Sequence, residues 1–334
     1  MLRFKQSLCF KRNRIVHKTT KSPRRNFYKR KNVFGFSRKG SESKLGNMNQ
    51  FENELPVALS IAGSDSGAGA GIQADLLSFA AHDVFGTTAL SALTAQNPDG
   101  VSAVHPVPAS FVREQAEQVA RFFKIGAAKT GMLPTAEIIA AVAEFFEAHP
   151  AIKLVVDPVM IATSGAKLID DNAIATLRER LIPLASVVTP NLDEAEVLLD
   201  EKFAWRANAA TAVEDLAASA EKLADALGVP VLLKGGHGNG DKVFDALAFP
   251  KTQGGFKSFV QHPRVANTNT HGSGCTLSAA IAANLAAAPA NADTKETLAE
   301  AVTRAVDYVS AGIANPLPVA GDRFIAHLHS NGAA

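Results

Sequence analysis

The chain is 334 residues long, 47% hydrophobic and 20% charged, which is enough apolar material for a sizeable core. A mean hydropathy of +0.05 and the absence of any apolar run near eighteen residues exclude a membrane-spanning protein. Two cysteines far apart in sequence, Cys9 and Cys275, exclude a disulfide framework and suit a reducing compartment, so the expected location is cytoplasmic.

The net charge of +2 conceals a division. Residues 1–47 hold 15 of the 34 lysines and arginines and one of the 32 acids, Glu42, leaving a body with 19 basic against 31 acidic residues. This basic arm has no sustained period and repels itself, so disorder is the expected state. It lacks the apolar stretch of a secretory signal, while its composition leaves an organelle presequence open. The preferred reading is that translation begins at Met48, just before the first strand, with a single domain over 48–330. A nucleic-acid tether ranks third. The acidic body has no electrostatic case for nucleic acid, and its expected partners are small molecules.

From Val57 onward the chain alternates apolar runs with helical patterns. Strands are predicted at Val57–Ala62, Thr87–Ala95, Val101–Val107, Ala127–Thr130, Ile152–Asp157, Ser186–Thr189, Val229–Lys234, Val243–Phe249 and Phe256–His262. Helices are predicted at Ile72–His82, Ala109–Phe123, Thr135–Ala148 with Pro134 at its entrance, Asp171–Leu181, Asp193–Leu199, Ala207–Leu227, Ser273–Ala287 and Thr294–Ala314. Alternation of this kind predicts an α/β fold, a mostly parallel sheet with helices on both faces. Ligands of such sheets sit beyond the carboxyl ends of the strands, so the residues just after each strand are the place to look for function.

After the first strand comes Gly63-Ser-Asp-Ser-Gly-Ala-Gly-Ala-Gly71, which fails the dinucleotide fingerprint because Ile72 stands where its third glycine should be. Gly235 to Lys242 lacks the ending of a P-loop. The strongest signal is Asn269-Thr270-His271-Gly272-Ser273-Gly274-Cys275-Thr276, glycines opening an alanine-rich helix. Unpaired backbone N–H groups beside the positive end of the helix dipole make an anion site, and a thiol in that first turn is expected to have a lowered pKa. Asp157 ends the most apolar strand and needs a partner or a cation. Asn191 and Glu194 have the spacing of a capping box, and Lys234 ends another strand. An anion site, an acid pair and a lysine on one rim describe ATP-dependent phosphoryl transfer without a P-loop.

Seven motifs across residues 57–328 carry a resemblance: AGSDSGAGAGIQADL (62–76), TAQN (94–97), KTGM (129–132), DPVM (157–160), TPNLDEAE (189–196), KGGH (234–237) and NTHGSGCT (269–276). The body resembles the ribokinase-like superfamily, a three-layer αβα sandwich, and within it the hydroxymethylpyrimidine/phosphomethylpyrimidine kinase branch of thiamine biosynthesis. The resemblance implies that Gln96 hydrogen-bonds an aminopyrimidine, that Asp75 assists at the substrate, and that Gly63, Gly131 and Met132 shape the pocket. It implies that Asn191, Thr270 and Lys234 hold the nucleotide, with Lys234 also catalytic, and that Glu194 and Asp157 serve Mg2+. Gly272, Ser273, Gly274 and Cys275 fall on its anion hole and catalytic position, and a homodimer is the expected assembly. His237 belongs to the motif without an assigned role. A vitamin B6 (pyridoxal or pyridoxine) kinase is the alternative enzyme, and a ligand sensor without chemistry the alternative class. A fused second catalytic module is not expected, because little chain follows Leu328.

Overall fold

The computed structural model describes residues 54–160, 169–207, 213–236, 241–253, 255, 257–266, 269–289 and 294–328. The basic arm, His237, Phe256 and the first predicted turn of the 207–227 helix beyond Ala207 lie outside the described residues.

Nine strands form one sheet: β1 (Val57–Ser64), β2 (Phe85–Asn97), β3 (Gly100–Pro106), β4 (Ile125–Thr130), β5 (Lys153–Val156), β6 (Val187–Val188), β7 (Val231–Lys234), β8 (Lys242–Ala248) and β9 (Lys257–Pro263). Their order is β3-β2-β1-β4-β5-β6-β7-β8-β9. The pairings from β2 through β1 and β4 to β7 are parallel, and β3, β8 and β9 join by antiparallel pairings at the two edges. Both faces are covered, as the continuous apolar strands require. Successive residues alternate between two cores: Leu59, Ile61, Leu154, Val156, Val231 and Leu233 join one, while Ala58, Val155 and Leu232 join the other. Each large side chain buried in this way contributes about 1.5–3 kcal/mol over leaving it exposed.

The helices are α1 (Gly71–Ala81), α2 (Ala109–Phe122), α3 (Ala136–Ala148), α4 (Asp171–Thr176), α5 (Leu192–Leu199), α6 (Val213–Leu227), α7 (Ser273–Ala287) and α8 (Thr294–Ala314). Helices α2, α3 and α6 supply the first core, and α1, α7 and α8 the second, which gives the three-layer αβα arrangement. Among the described residues no helix is long and apolar enough to cross a membrane.

Most predicted elements stand within a few residues of their expected bounds. Two differences are physical. The helix expected over Asp171–Leu181 is α-helical only to Thr176; a π-helical turn follows over Leu177–Leu181, then a 3-10 turn over Ile182–Leu184 containing Pro183. A two-stranded hairpin, β10 (Leu317–Val319) and β11 (Asp322–Phe324), was not predicted, because three-residue strands with five of six residues exposed carry no hydrophobic period.

Helix α7 reaches β4 closely because Gly126 has no side chain. A Cβ there would sit 2.9 Å from the Ala286 carbonyl oxygen and 3.0 Å from its Cα. Replacing Gly126 with Ala should therefore cost about 1–3 kcal/mol of stability in urea unfolding, the usual range for overpacking. An unchanged midpoint would show that this helix sits less firmly on the sheet.

Candidate active site

A cavity of about 390 Å³ opens at the carboxyl ends of the parallel strands. Its charged corner is built by β5, β6 and β7. Lys234 donates its backbone N–H to the Pro190 carbonyl (2.9 Å), which sets the end of β7 beside Asn191. Asn191 caps α5 in a reciprocal box: its side chain accepts from the Glu194 N–H (2.9 Å), and Glu194 accepts from the Asn191 N–H (2.8 Å). The Lys234 ammonium lies 3.3 Å from Asp157 Oδ1, and Asp157 also accepts from Ser278 of α7 (3.2 Å).

The electrostatics of this corner follow from burial. Burial raises the Glu194 carboxyl, Asp157 raises it further, and Lys234 and the Asn191 N–H pull it back, leaving it at about 7. Burial alone would lower Lys234, but Asp157 and Glu194 outweigh it and hold the ammonium charged. Two buried acids therefore share one lysine beside the open cavity, an electron-rich set of oxygens that favours a cation. Among the described residues no group of three or more His, Cys, Asp or Glu forms a metal cage.

Helix α7 opens into the same cavity through Thr270–Cys275. Gly272 is its N-cap, with φ +80, and a Cβ there would lie 1.8 Å from the Gly69 carbonyl oxygen. Only glycine meets both conditions. Gly274 faces Lys234: its missing Cβ would be 3.3 Å from the ammonium. The Ser273 N–H donates to the Thr270 carbonyl (3.0 Å), so this donor is turned into the loop and away from an anion. That corrects the expectation that Ser273 offers its N–H to the hole.

The expectation of a lowered thiol pKa at Cys275 is also overturned. Burial raises the thiol, and Asp157 and Asp75 add to it; Lys129 and the Gly71 N–H oppose without prevailing, so the group stands at about 11. The helix dipole acts on a side chain that is half-buried at the cavity wall beside two acids, and there desolvation of the thiolate is the larger effect.

On the side away from Lys234, Gly63, Gln96 and Met132 line the cavity, whereas Asp75 and Gly131 do not reach it. Asp75, expected at the substrate, is wholly buried beneath the floor, where it accepts from Lys129 (2.9 and 3.0 Å) and from the Ser60 hydroxyl (2.6 Å). Lys129 lines the cavity in its place. Burial alone would lower its pKa, but the Asp75 carboxylate holds it well above the ordinary lysine range. Sequence reasoning named Lys129 only within a motif; a lysine inside an apolar strand is itself the signal that a buried acid must be near.

The glycine-rich loop after β1 wraps around its own carboxylate. Asp65 accepts the N–H groups of Gly67 (2.8 Å), Gly69 (3.1 Å) and Ala70 (2.8 Å). Burial opposes ionisation, yet His271 and these N–H groups bring the Asp65 carboxyl below its ordinary value. The loop's donors are thus occupied from within the chain. His271 Nε2 lies 3.3 Å from Asp65 Oδ2 and 3.3 Å from Gln96 Nε2, joining the substrate side to the anion loop. Neither Asp65 nor His271 was singled out from sequence.

Breaking the Asp75–Lys129 pair by Asp75→Asn should cost about 3–5 kcal/mol in urea unfolding, since it strands a buried ammonium. The double variant Asp75→Leu with Lys129→Met should recover most of that loss. Equal stability of Asp75→Asn and the parent would show that the pair is not charged.

Comparison with known proteins agrees with this geometry. The phosphomethylpyrimidine kinase family model matches residues 65–325. The chain is 41% identical over 271 residues to the hydroxymethylpyrimidine/phosphomethylpyrimidine kinase of Haemophilus influenzae, covering 80% of this chain and 94% of that one. An ADP complex of Bacillus subtilis pyridoxal kinase superposes with a TM-score of 0.70 at 33% identity, covering 82% of this chain and 98% of that one. The phosphomethylpyrimidine kinase of Clostridium difficile superposes at 0.60 and 35% identity, covering 76% and 99%. With its parallel sheet, its cavity at the strand ends and a match across most of its length, the chain belongs to the phosphomethylpyrimidine kinase family.

Proposed function

We propose that this protein transfers the γ-phosphoryl group of ATP to 4-amino-5-hydroxymethyl-2-methylpyrimidine and then to the resulting monophosphate, giving the diphosphate that enters thiamine biosynthesis. The observation that carries this reading is the convergence, in one cavity, of the α7 anion loop, the Lys234–Asp157–Glu194 corner and Gln96. In it, Lys234, Asn191 and Thr270 hold the nucleotide phosphates, the N–H groups of Gly272, Gly274 and Cys275 receive the charge on the phosphoryl group in flight, and Gln96 reads the pyrimidine edge. Gly63 and Met132 shape the ring site. Asp75 acts from behind it by fixing Lys129.

Asp157 and Glu194 suit Mg2+, a hard cation that takes a few carboxylate oxygens and leaves its remaining positions to phosphates and water. Burial, with Asp157 adding to it, raises the Glu194 pKa, and a bound cation would favour its carboxylate form, which fits that assignment. When bound, the ion would neutralise charge on the nucleotide phosphates. A cytoplasmic homodimer is the assembly this reading expects, and sedimentation velocity tests it.

The two transfers place different demands on a base. A hydroxymethyl group must lose a proton, whereas a phosphate monoester with a second pKa of about 6 is already anionic at pH 7. Cys275, with its thiol near 11, is a weak resource for the first step and unnecessary for the second. Its active form is the thiolate, whose population rises tenfold per pH unit below the pKa. The first-step rate should therefore climb from pH 7 to 9 while the second stays flat. Cys275→Ala should slow the first transfer by about tenfold or more and the second far less. Equal losses in both steps would remove the base role.

The reading itself is tested by phosphorus NMR of the purified chain with ATP, Mg2+ and the pyrimidine. A monophosphate followed by a diphosphate is the expected result. The structural likeness to a pyridoxal kinase makes pyridoxal the competitor to run alongside: faster turnover of pyridoxal would reassign the substrate.

A further inference from the structure

We propose that the C-terminal hairpin and the tail behind it position the anion loop of α7, with His327 acting through Thr276 and Asp322 through Asn269. This inference rests on the kinase reading above and brings in Asp322 and His327, which lie outside the motifs that led to it.

The loop is gripped on both flanks. On its N-terminal side, the Asn269 side-chain amide donates to Asp322 Oδ2 (2.7 Å) and its backbone N–H to the Arg323 carbonyl (3.2 Å), both on β11. The Asn269 side-chain oxygen then accepts the His271 N–H (2.9 Å), passing the anchorage into the loop. On its C-terminal side, the hydroxyl of Thr276, wholly buried, stands 3.0 Å from His327 Nε2 and donates to the Gly272 carbonyl (2.8 Å). The hydroxyl has one proton and gives it to Gly272, so toward His327 it accepts, and the imidazole donates from Nε2. The result is a directed chain from His327 through Thr276 to Gly272.

The place where that chain ends matters. Gly272 is the left-handed residue at the start of the helix, where a peptide plane without a side chain has more than one accessible orientation. Two donors on its carbonyl, the Thr276 hydroxyl at 2.8 Å and the Thr276 N–H at 2.9 Å, fix that plane. The N–H groups of Gly274 and Cys275 are aimed from the turn so fixed. The tail is itself held: Tyr308 donates to the His327 carbonyl (2.9 Å) and Ala326 to the Gly312 carbonyl (3.2 Å). A Cβ at Gly312 would come within 2.8 Å of the Ala326 oxygen, so α8 and the tail are in close contact. A buried histidine used only as filling would not need a hydroxyl partner that is itself bonded onward to the helix cap.

The test uses the full chain with His327→Leu, His327→Gln, Thr276→Val, the Thr276→Val/His327→Leu double variant and Asp322→Ala. Each is measured for pyrimidine kinase kcat, for both KM values, for thermal midpoint and for hydrogen exchange over 269–276. His327→Leu is expected to lower kcat about tenfold or more with both KM values within about twofold, because the donors to the phosphoryl group are misaimed while ground-state binding persists. His327→Gln, whose amide can donate, should return to within about threefold of the parent, and His327→Leu should add nothing once Thr276 is Val. Asp322→Ala, on the exposed hairpin where folding is not at risk, should give a smaller kcat loss with faster exchange at 269–276. Wild-type kcat in His327→Leu, equal losses in the Leu and Gln variants, or losses that simply follow the thermal midpoint would overturn the proposal. If the parent chain proves inactive on the pyrimidine, the functional reading fails, and the exchange comparison still decides whether the tail orders the loop.

Discussion

The contact of α7 with the sheet is the constraint from which the site follows. Nine of its fifteen residues, from Thr276 to Leu285, are buried, and four of those are alanine. Small side chains bring the helix axis close to β4 and β5, and Gly126 removes the last obstacle. Because the helix cannot slide along the sheet without steric clash, its first turn emerges at one height above the strand ends. Ser278, one turn in, then bonds Asp157 at the end of β5, which ties the helix to the acid corner. Packing thus sets the height of the first turn of α7 relative to Lys234.

Charge is managed by the same economy. Two lysines stand in or under the cavity, and each is matched to acids that are themselves buried. Lys129 has Asp75 to itself, a closed pair with Ser60 completing the carboxylate's partners. Lys234 has two acids, Asp157 and Glu194, and one cation between two carboxylates leaves that corner electron-rich. The first arrangement is self-sufficient and suits a structural floor; the second is incomplete and suits a place where ligands bring the missing charge. The two corners thus differ in how completely their charges are matched from within the chain.

Much of this was legible in the sequence because it depends on local pattern. Alternation of apolar runs and helical periods gave the layers, the residues after each strand gave the rim, and Asn191 with Glu194 declared its cap in four letters. What escaped is what depends on burial in three dimensions. Asp75 lies in a motif from which a place at the substrate was expected, yet its side chain points into the sheet toward Lys129, fifty-four positions away. The thiol of Cys275 is at a helix start, where local reasoning lowers its pKa, but desolvation is a property of everything packed around it. The β10–β11 hairpin is too short and too exposed to leave a periodic trace, although its Asp322 accepts from Asn269 in the loop before α7.

The height of that thiol's pKa has a consequence for the protein's life in a cell that meets oxidants. At neutral pH the raised pKa leaves the thiolate the minor form, and it is the thiolate that peroxides and electrophiles attack. A cysteine lining an open cavity would ordinarily be a liability during oxidative stress. Here, desolvation favours the unreactive thiol over the thiolate.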